Sequence, residues 1–497
     1  MATQDIPGAE KPPKKQILLN AFDMSTVGHL SVGHWKDPAD RSATKRKLTY
    51  WVELAKLLER GGISGLFLAD TNGGFDIYGG TVEESIRKAV QWPVTDPSIP
   101  ITAMAAVTKN LTFGITASTS FETPFVLAKR FSTLDHMTDG RIGWNIVTSW
   151  KKSAFNAIGI DPIEHDQRYA QADEYMRTLY KLWEGSWADD ALQPDPTTDT
   201  YIDPSKVRHI NHQGEYYKLS TRHIVDPSPQ RTPFLFQAGA SAEGIDFAAT
   251  HAEGIFVSSP SPELLRIQIE KNRKIAAEKG RDPSSLKFYL SFTPILGKTD
   301  QEAQDKYQEL RKHASPVGGL VLFSGWTRID MSKYSLDEDI SKIDSDEGRK
   351  LSNMFKPTVE TPIWTPRLIG IRAAMSQISP SAVGSPSSVA DVMENWINIA
   401  DVDGFNLGYV TSPGSFEDVV DLLVPELRRR GIYPEAVEPG LTARERVYGK
   451  GQAGLRDDHI GSKYKYEVYQ EEEPFVAHGE PWGLDGWDLA SELDSRR

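Results

Sequence analysis

Short apolar segments alternate with segments of helical periodicity along most of the chain, and this alternation constrains the fold more than any other sequence feature. The predicted strands are 16–22, 65–70, 111–119, 141–149, 233–239, 254–259, 286–297 and 404–412. Between and after them, segments such as 48–60, 124–138, 166–184 and 416–430 repeat apolar side chains at the spacing of a helix. Because alternating strands and helices join parallel neighbours by right-handed crossovers, the pattern predicts an α/β fold with a parallel sheet.

Eight strand–helix units in 497 residues suit a closed (β/α)8 TIM barrel, with the surplus chain in insertions. We predict a disordered N-terminal arm over 1–15, a barrel domain over 16–431 and a C-terminal extension over 432–497. Insertions are expected at about 185–232 and 315–366. An open doubly wound sheet is the structural alternative, and it is disfavoured because no GxGxxG turn follows the first strand.

Charge and composition exclude several classes of function. The chain carries 56 Lys and Arg against 69 Asp and Glu, a formal net charge of −13, which argues against a nucleic-acid partner. It contains no cysteine, so disulfides, thiolate metal sites and thiol nucleophiles are excluded. No stretch approaches the roughly 18 apolar residues of a membrane span, and the polar, proline-rich start does not resemble a secretory signal. We therefore expect a soluble cytoplasmic protein with no membrane partner.

Common catalytic motifs are absent as well. The sequence has no HExxH motif and no characteristic spacing of histidines, so no metal site is predicted. It has no GxSxG elbow, which disfavours a hydrolase triad. A glycosidase needs paired carboxylates at strand ends, and Asp70 lacks an evident partner.

Polar and aromatic residues collect where the predicted strands end, and this is the rim on which barrel enzymes build active sites. These residues can also have purely structural roles: Asp70 can cap its own turn, and Trp144 and Trp150 can pack in the core. Taken together, neutral hydrogen-bonding groups and aromatic rings suit a flat cofactor that carries the chemistry itself. The residues are Asn20, Phe22, Met24, His29, His34, Trp35, Asp70, Thr116, Ser118, Asn145, Thr148, Ser149, His165, Tyr169 and Gln237.

The stretch "QAGASAEG" after the fifth predicted strand is the most informative of these ends. Small residues lead to Ser241, which opens a predicted helix, and the free N–H groups and dipole of a helix start favour a phosphate. A well-capped helix without any ligand explains the same residues. Because four other strand ends are also polar, we favour the phosphate interpretation.

Several motifs of the sequence together resemble those of a known family. These motifs resemble those of the nitrilotriacetate monooxygenase branch of the bacterial-luciferase-like flavin-dependent monooxygenases. That branch also holds long-chain alkane, dimethyl sulfide and dibenzothiophene sulfone monooxygenases. The resemblance extends from residue 16 to about residue 460. It is carried by "LNAFDMSTVGH", "GLFLAD", "AMAAVTKNLTFGITASTSFETPF", "STLDHMTDGRIGWNIVTS", "EHDQRYAQADEYM", "PSPQRTPFLFQAGAS" and "DGFNLGYVTSPGSFEDVVDLLVPEL".

The resemblance implies a two-component enzyme that inserts one oxygen atom from O2 into a small organic substrate through a flavin C4a-peroxide. Reduced FMN (FMNH2) would come from a separate NAD(P)H:flavin reductase, and relatives suggest a homodimer or homotetramer. The resemblance places His29 on the substrate side, and we predict a catalytic role for it. The resemblance assigns FMN binding to Asp70, Thr116, Asn145, Ser149, His165, Tyr169 and Ser241, and the substrate pocket to Phe22, Met24, Trp35 and Trp150.

One departure from the family matters. Some relatives place a second histidine in the large insertion, where this chain reads "GGLVLFSGWT" over 318–327. His29 is therefore the single candidate for proton handling, and the insertion is predicted to act as a lid. A polycarboxylate substrate would need a cation such as Arg328, whereas an alkane or thioether would need only apolar surface. A deazaflavin-dependent oxidoreductase, a TIM-barrel hydrolase and a non-catalytic flavin-binding protein are the alternatives.

Overall fold

A closed barrel of eight parallel strands forms the centre of the computed structural model, which describes residues 14–470. Leu18 pairs with Gly404, and this pairing between the first and last strands closes the barrel. The closed barrel confirms the predicted (β/α)8 fold, and each of the eight predicted strands is present. The barrel strands are β1 (Leu18–Met24), β2 (Gly65–Ala69), β3 (Thr112–Ser118), β4 (Ile142–Val147), β5 (Phe234–Gln237), β6 (Gly254–Val257), β7 (Lys287–Leu296) and β8 (Gly404–Leu407).

Strand β2 (GLFLA) shows why these strands are apolar almost without interruption. In a barrel wrapped by helices both faces of each strand are covered, so the alternation of a half-exposed strand disappears. Inside the barrel, aromatic rings fill the space below the strand ends: the Phe67 and Phe256 centroids lie 4.2 Å apart, and those of Phe236 and Phe256 lie 5.1 Å apart. Gly143 leaves room for them, because a Cβ there would lie 2.8 Å from Cε2 of Phe236.

Helices cover the outside of the barrel and connect its strands. The last of the predicted helices is a composite, in which α14 (Gly414–Asp418), a π-helical turn over Val419–Leu423 and α15 (Val424–Arg429) follow one another directly. The helices are α1 (Leu48–Gly61), α2 (Glu83–Arg87), α3 (Ile101–Ala106), α4 (Pro124–Met137), α5 (Lys152–Ile158), α6 (His165–Trp183), α7 (Ala242–His251), α8 (Pro262–Glu278), α9 (Asp300–His313), α10 (Pro316–Thr327), α11 (Asp346–Met354), α12 (Pro366–Ala374), α13 (Pro386–Ala400), α14 (Gly414–Asp418), α15 (Val424–Arg429) and α16 (Ala443–Tyr448).

Between residues 14 and 470, five further strands lie outside the barrel. Leu192–Asp195 pairs with Thr200–Ile202 and Ile210–Gln213 pairs with Lys218–Thr221, which gives two antiparallel hairpins in the segment 185–232. A fifth, Ser381–Gly384, extends the carboxyl end of β7 as a parallel partner. The segment 315–366 carries α10 and α11.

Residues 432–470 return to the amino ends of β5 and β6. Arg444 in α16 is buried there and forms an ion pair with Glu253, with 2.8 Å between Nε and Oε1. The same guanidinium donates to the carbonyls of Thr232 and Pro233, directly before β5. Most of the predicted arm 1–15 and the last part of the extension, 471–497, lie outside the described residues. Within 14–470, no helix has the length and hydropathy needed to cross a membrane.

Candidate active site

The carboxyl ends of the strands border a cavity of about 1060 Å³. The structure brings to its wall eight of the twelve residues to which a catalytic, FMN-binding or substrate-binding role is assigned above. These are Phe22, Met24, His29, Asp70, Thr116, Ser149, Trp150 and Tyr169. A barrel with its large cavity at this end has the architecture of an enzyme active site.

Two buried amide side chains at the ends of β4 and β5 have acceptor oxygens without a partner. Asn145 donates from Nδ2 to Oγ1 of Thr116 on the neighbouring strand, at 3.0 Å. Among the described residues, nothing hydrogen-bonds Oδ1 of Asn145 or Oε1 of Gln237. A buried acceptor that is left unsatisfied costs about 1–3 kcal/mol, so these two oxygens are suited to a ligand that brings donors.

Ser149 turns the chain at the end of β4. Its backbone has φ 54°, in the left-handed region that non-glycine residues rarely adopt. Its hydroxyl hydrogen-bonds the hydroxyl of Ser118 on β3 at 2.9 Å. The turn therefore places 148–151 along the cavity wall.

The predicted phosphate position lies where α7 begins. Oγ of Ser241 accepts from the N–H of Gly244 at 3.0 Å, so the serine caps the helix. The hydroxyl of Tyr169 is close by, because a Cβ on Gly239 or Gly244 would lie 2.8 Å from it. Gly239 and Tyr169 line the cavity, whereas Ser241 stands next to that wall without being part of it. Only a glycine allows the tyrosine hydroxyl to approach the backbone this closely.

Four of the predicted site residues are not part of the cavity wall, namely Asn145, His165, Ser241 and Trp35. His165 is exposed at the start of α6, where Nδ1 hydrogen-bonds Oδ1 of Asp166 at 2.8 Å, although its ring centroid is 5.3 Å from that of Tyr169. Trp35 is 51% exposed and lies outside the cavity wall. Trp144 is fully buried in the main core and donates from Nε1 to the carbonyl of Ala117, as its core interpretation requires.

Asp70 follows β2 and lines the cavity. Its Oδ1 accepts from the backbone N–H of Thr71 at 2.8 Å. Burial raises the pKa of this carboxyl to about 6, although the Thr71 hydrogen bond opposes the shift. Asp70 is thus both a local cap and a cavity group whose pKa burial raises above that of an exposed carboxyl.

His29 is buried at the cavity wall, in the loop after β1. The edge of its ring meets the ring of Phe22, with 4.6 Å between the centroids. Nothing in the described chain hydrogen-bonds its Nδ1. Burial first, and then the charge of Lys45, hold the pKa of His29 well below its ordinary value. The histidine is therefore neutral at pH 7.

The large insertion contributes one side of the cavity. Residues 318–327 belong to α10, and Trp326 from this helix lines the wall. Arg328, just after the helix, is outside the wall and stacks over the ring of Trp150 at 4.8 Å. The predicted cation of the insertion thus supports a tryptophan of the pocket and does not enter the cavity.

Lys151 is a cavity residue that sequence reasoning missed. It follows Trp150 directly, and its ammonium lies 3.8 Å from the ring centroid of Phe75. Burial lowers the pKa of Lys151 to about 7, and the charges of Asp76 and Asp70 oppose the shift. Two consecutive lysines after a strand are typical of a solvated loop, so the only available signal was their position next to the strand end.

One group of metal-ligand side chains occurs among the described residues. His165, Asp166 and Glu243 bring ligand atoms within 4.8 Å of one another, all at exposed or half-exposed positions. Exposed acidic groups of this kind are common without an ion, so no role is drawn from this one.

Residues 30–398 match the family described as Luciferase-like monooxygenase. The chain is 43% identical over 469 residues to the dimethyl-sulfide monooxygenase of Hyphomicrobium sulfonivorans, spanning 94% of this chain and 97% of that protein. It is 44% identical over 452 residues to the long-chain alkane monooxygenase of Geobacillus thermodenitrificans, spanning 91% and 98%. The crystal structure of DmoA from Hyphomicrobium sulfonivorans is similar with a TM-score of 0.87 at 43% identity, over 94% of this chain and 99% of that one.

The chain therefore belongs to the luciferase-like monooxygenase family. It is an enzyme, a flavin-dependent monooxygenase, and the resemblance of its motifs to this family is confirmed.

Proposed function

We propose that this enzyme is a two-component monooxygenase that takes reduced FMN and O2 and transfers one oxygen atom to a small organic substrate. The observation that carries the proposal is the cavity of about 1060 Å³, with the unpartnered acceptor of Gln237 in its wall and that of Asn145 next to Thr116, which lines it. The isoalloxazine and ribityl groups of FMN bring N–H and O–H donors that these oxygens lack. When bound, reduced FMN supplies the activation of O2.

The roles of the individual residues follow from their positions. Asn145, Thr116 and Ser149 would hydrogen-bond the flavin ring or its ribityl chain. The helix start at Ser241 and the hydroxyl of Tyr169 would hold the phosphate, because free N–H groups and the helix dipole favour an anion there. His165, next to Tyr169, would border the same end, and Asp70 would bind the cofactor from the end of β2. Insertion helix α10 would exclude water, which favours oxygen transfer to the substrate over release of peroxide.

The partners are part of the proposal. A separate NAD(P)H:flavin reductase would supply reduced FMN, since no glycine-rich dinucleotide-binding turn follows β1. Phe22, Met24 and Trp150 would form the apolar part of the substrate pocket, whereas Trp35 lies outside the cavity wall. We further propose a cytoplasmic homodimer or homotetramer, as the family resemblance implies.

The phosphate assignment is tested by Ser241→Asp. Aspartate is as good a helix cap as serine, so α7 should persist while a negative charge appears at the phosphate position. Repulsion between two charges at this range costs about 2–4 kcal/mol, and we expect the dissociation constant of reduced FMN to rise at least about 30-fold. The measurement is an anaerobic titration with reduced FMN.

The matched control is Ser261→Asp, because Ser261 caps α8 in the same way, through the N–H of Leu264, away from the cavity wall. This variant should bind reduced FMN as the wild type does. Equal affinities for the Ser241→Asp variant and the wild type would reject the phosphate assignment.

Turnover distinguishes the proposal from its alternatives. A panel of thioethers and alkanes, with reduced FMN and O2, should give an oxygenated product whose yield exceeds that of released peroxide for at least one member. Turnover without O2 or reductant would indicate a hydrolase, and tight binding of a deazaflavin instead of FMN would indicate the oxidoreductase alternative. Binding of FMN with no substrate-dependent oxygen uptake would leave only a flavin-binding protein.

A further inference from the structure

Lys151 places a buried cation in the wall of the cavity. Its Nζ donates to the carbonyl of Gly73 at 3.2 Å and to Oε1 of Gln91 at 3.3 Å, and it sits over the ring of Phe75. An ammonium has three N–H donors, so one remains for a further acceptor. The two hydrogen bonds hold the ammonium in the cavity wall.

No carboxylate forms an ion pair with this ammonium within the part of the chain that the structure describes, although Asp70 and Asp76 lie near enough to favour its charged form. The other cation of the cavity wall, Arg130, is paired with Glu122 at 2.7 Å between Nη1 and Oε1. Among the described residues, the contacts of the Lys151 ammonium are two neutral oxygens and the rings of Phe75 and Trp150. A buried charge without a counter-ion is costly, and a ligand that brings a negative charge removes that cost.

The ammonium is remote from the proposed phosphate position along the barrel. Lys151 follows β4, yet its side chain contacts Gly73 and Gln91 in the segment after β2, two strands away. Ser241 follows β5, on the other side of β4. The proposed phosphate position and the contacts of Lys151 therefore lie at the ends of different strands, so an anion at Lys151 need not be the flavin phosphate.

The surroundings of Lys151 are aromatic. The ring centroid of Phe75 is 6.4 Å from that of Trp150, and Trp326 from α10 lines the same cavity. These rings offer an apolar surface next to a single cation. A small organic molecule with an apolar, oxidisable body and one terminal anion matches both features.

We propose that Lys151 binds an anionic group of the substrate, so that the preferred substrates are small organic molecules bearing a carboxylate or sulfonate. This inference rests on the proposed monooxygenase function, which it extends to a substrate class. Sulfonates and carboxylates share the acceptor chemistry that a lysine recognises.

The pKa of Lys151, about 7 because of burial, agrees with this geometry. An anion beside the ammonium favours its protonated form, so binding of the anion is coupled to uptake of a proton. The charged groups that face Lys151 are Asp70 and Asp76, and both favour its protonated form.

The test compares (methylthio)acetate with its neutral isostere (methylthio)acetamide, by equilibrium dialysis against the FMN-saturated protein. Wild type should bind the carboxylate at least about 10-fold more tightly than the amide. In Lys151→Met the affinity for the carboxylate should fall about 10- to 100-fold, the value of a charge-assisted hydrogen bond, while that for the amide changes less than about 2-fold. Lys151→Arg should retain most of the selectivity.

Lys152→Met is the matched control, because Lys152 is the exposed neighbour in sequence and lies outside the cavity wall. Its preference for the carboxylate should equal that of the wild type. Equal binding of carboxylate and amide by the wild type would overturn the proposal, as would an equal loss of both probes in Lys151→Met.

The pH dependence separates Lys151 from Asp70. Between pH 6.5 and 8.5 the carboxylate affinity of wild type should fall as Lys151 loses its proton, whereas that of Lys151→Arg should stay constant because arginine remains charged. A parallel fall in Lys151→Arg would assign the effect to ionisation of Asp70 and overturn the role of the lysine.

The outcomes also distinguish the proposed anion site at Lys151 from the proposed binding of FMN. Carboxylate selectivity in a protein that fails to bind FMN would reject the flavin proposal and retain the anion site. FMN binding and oxygenation with no carboxylate selectivity would reject the anion site and retain the monooxygenase.

Discussion

At the residue scale, His29 combines two properties that a proton-handling group needs in a dry cavity. It is buried among Phe22 and Tyr409, whose ring centroids lie 4.6 and 6.0 Å from its own, so its ring orientation is fixed. The buried pair of Lys45 and Asp23 lies behind Tyr409, and the Lys45 charge adds to burial in lowering the pKa of His29. A neutral imidazole can both donate and accept a proton.

We predict that His29→Ala binds reduced FMN normally but loses at least about 10-fold in the ratio of oxygenated product to peroxide, because general acid–base catalysis contributes at least this factor. The measurement is product and peroxide yield per reduced FMN consumed. His34→Ala is the control, because His34 is equally buried, hydrogen-bonds Ser31 and lies outside the cavity wall. It should lose stability but keep the product ratio. An unchanged ratio in His29→Ala would remove His29 from the reaction.

Sequence reasoning located the residues whose positions follow from a strand end. Thr116, Ser149 and Asp70 lie at the cavity because a parallel barrel brings all carboxyl strand ends to one rim. Loop residues such as Trp35 were not predictable in this way, since the direction of a loop side chain depends on tertiary packing. Lys151 was missed for the converse reason: burial of a lysine depends on Phe75 and Gln91, which are distant in sequence.

At the element scale, the barrel strands were predictable and the peripheral ones were not. Strands such as β8 (GFNL) are buried throughout, so they stand out as apolar segments in the sequence. The hairpin strands Leu192–Asp195 and Lys218–Thr221 are short, polar and half-exposed, and no periodicity marks them. Helix α16 is held by a buried ion pair whose partner, Glu253, is almost two hundred residues away in the chain.

We predict that Arg444→Met destabilises the protein by about 3–5 kcal/mol, because it leaves the buried carboxylate of Glu253 without a counter-ion and frees the carbonyls of Thr232 and Pro233. The shift in the urea unfolding midpoint measures this. Arg349→Met removes an exposed ion pair with Asp346, and should change stability by no more than about 0.5 kcal/mol. Equal midpoints for the two variants would show that α16 is not held by this pair.

At the scale of the whole molecule, one cavity of this acidic chain contains two groups with shifted pKa values. Asp70 and Lys151 are both in the cavity wall, and burial shifts the pKa of each towards its neutral form. Their effects on stability fall in different pH windows. Asp70, whose pKa is raised, contributes stability that is fully present below about pH 4 and is lost as the pH rises through about 6. Lys151, whose pKa is lowered, contributes stability that is present at high pH and is lost as the pH falls through about 7.

We therefore predict that Asp70→Asn becomes more stable than wild type as the pH rises from 4 to 6.5, because the amide has no proton to lose. The difference should level off at about 1–2 kcal/mol, which is less than the full shift of the pKa implies because Asp70 is partly exposed. Urea unfolding of the FMN-free protein at several pH values measures it. Asp344→Asn, at a fully exposed carboxylate, should show no such trend. A difference between Asp70→Asn and wild type that is constant over this range would mean that Asp70 titrates as a solvated carboxylate.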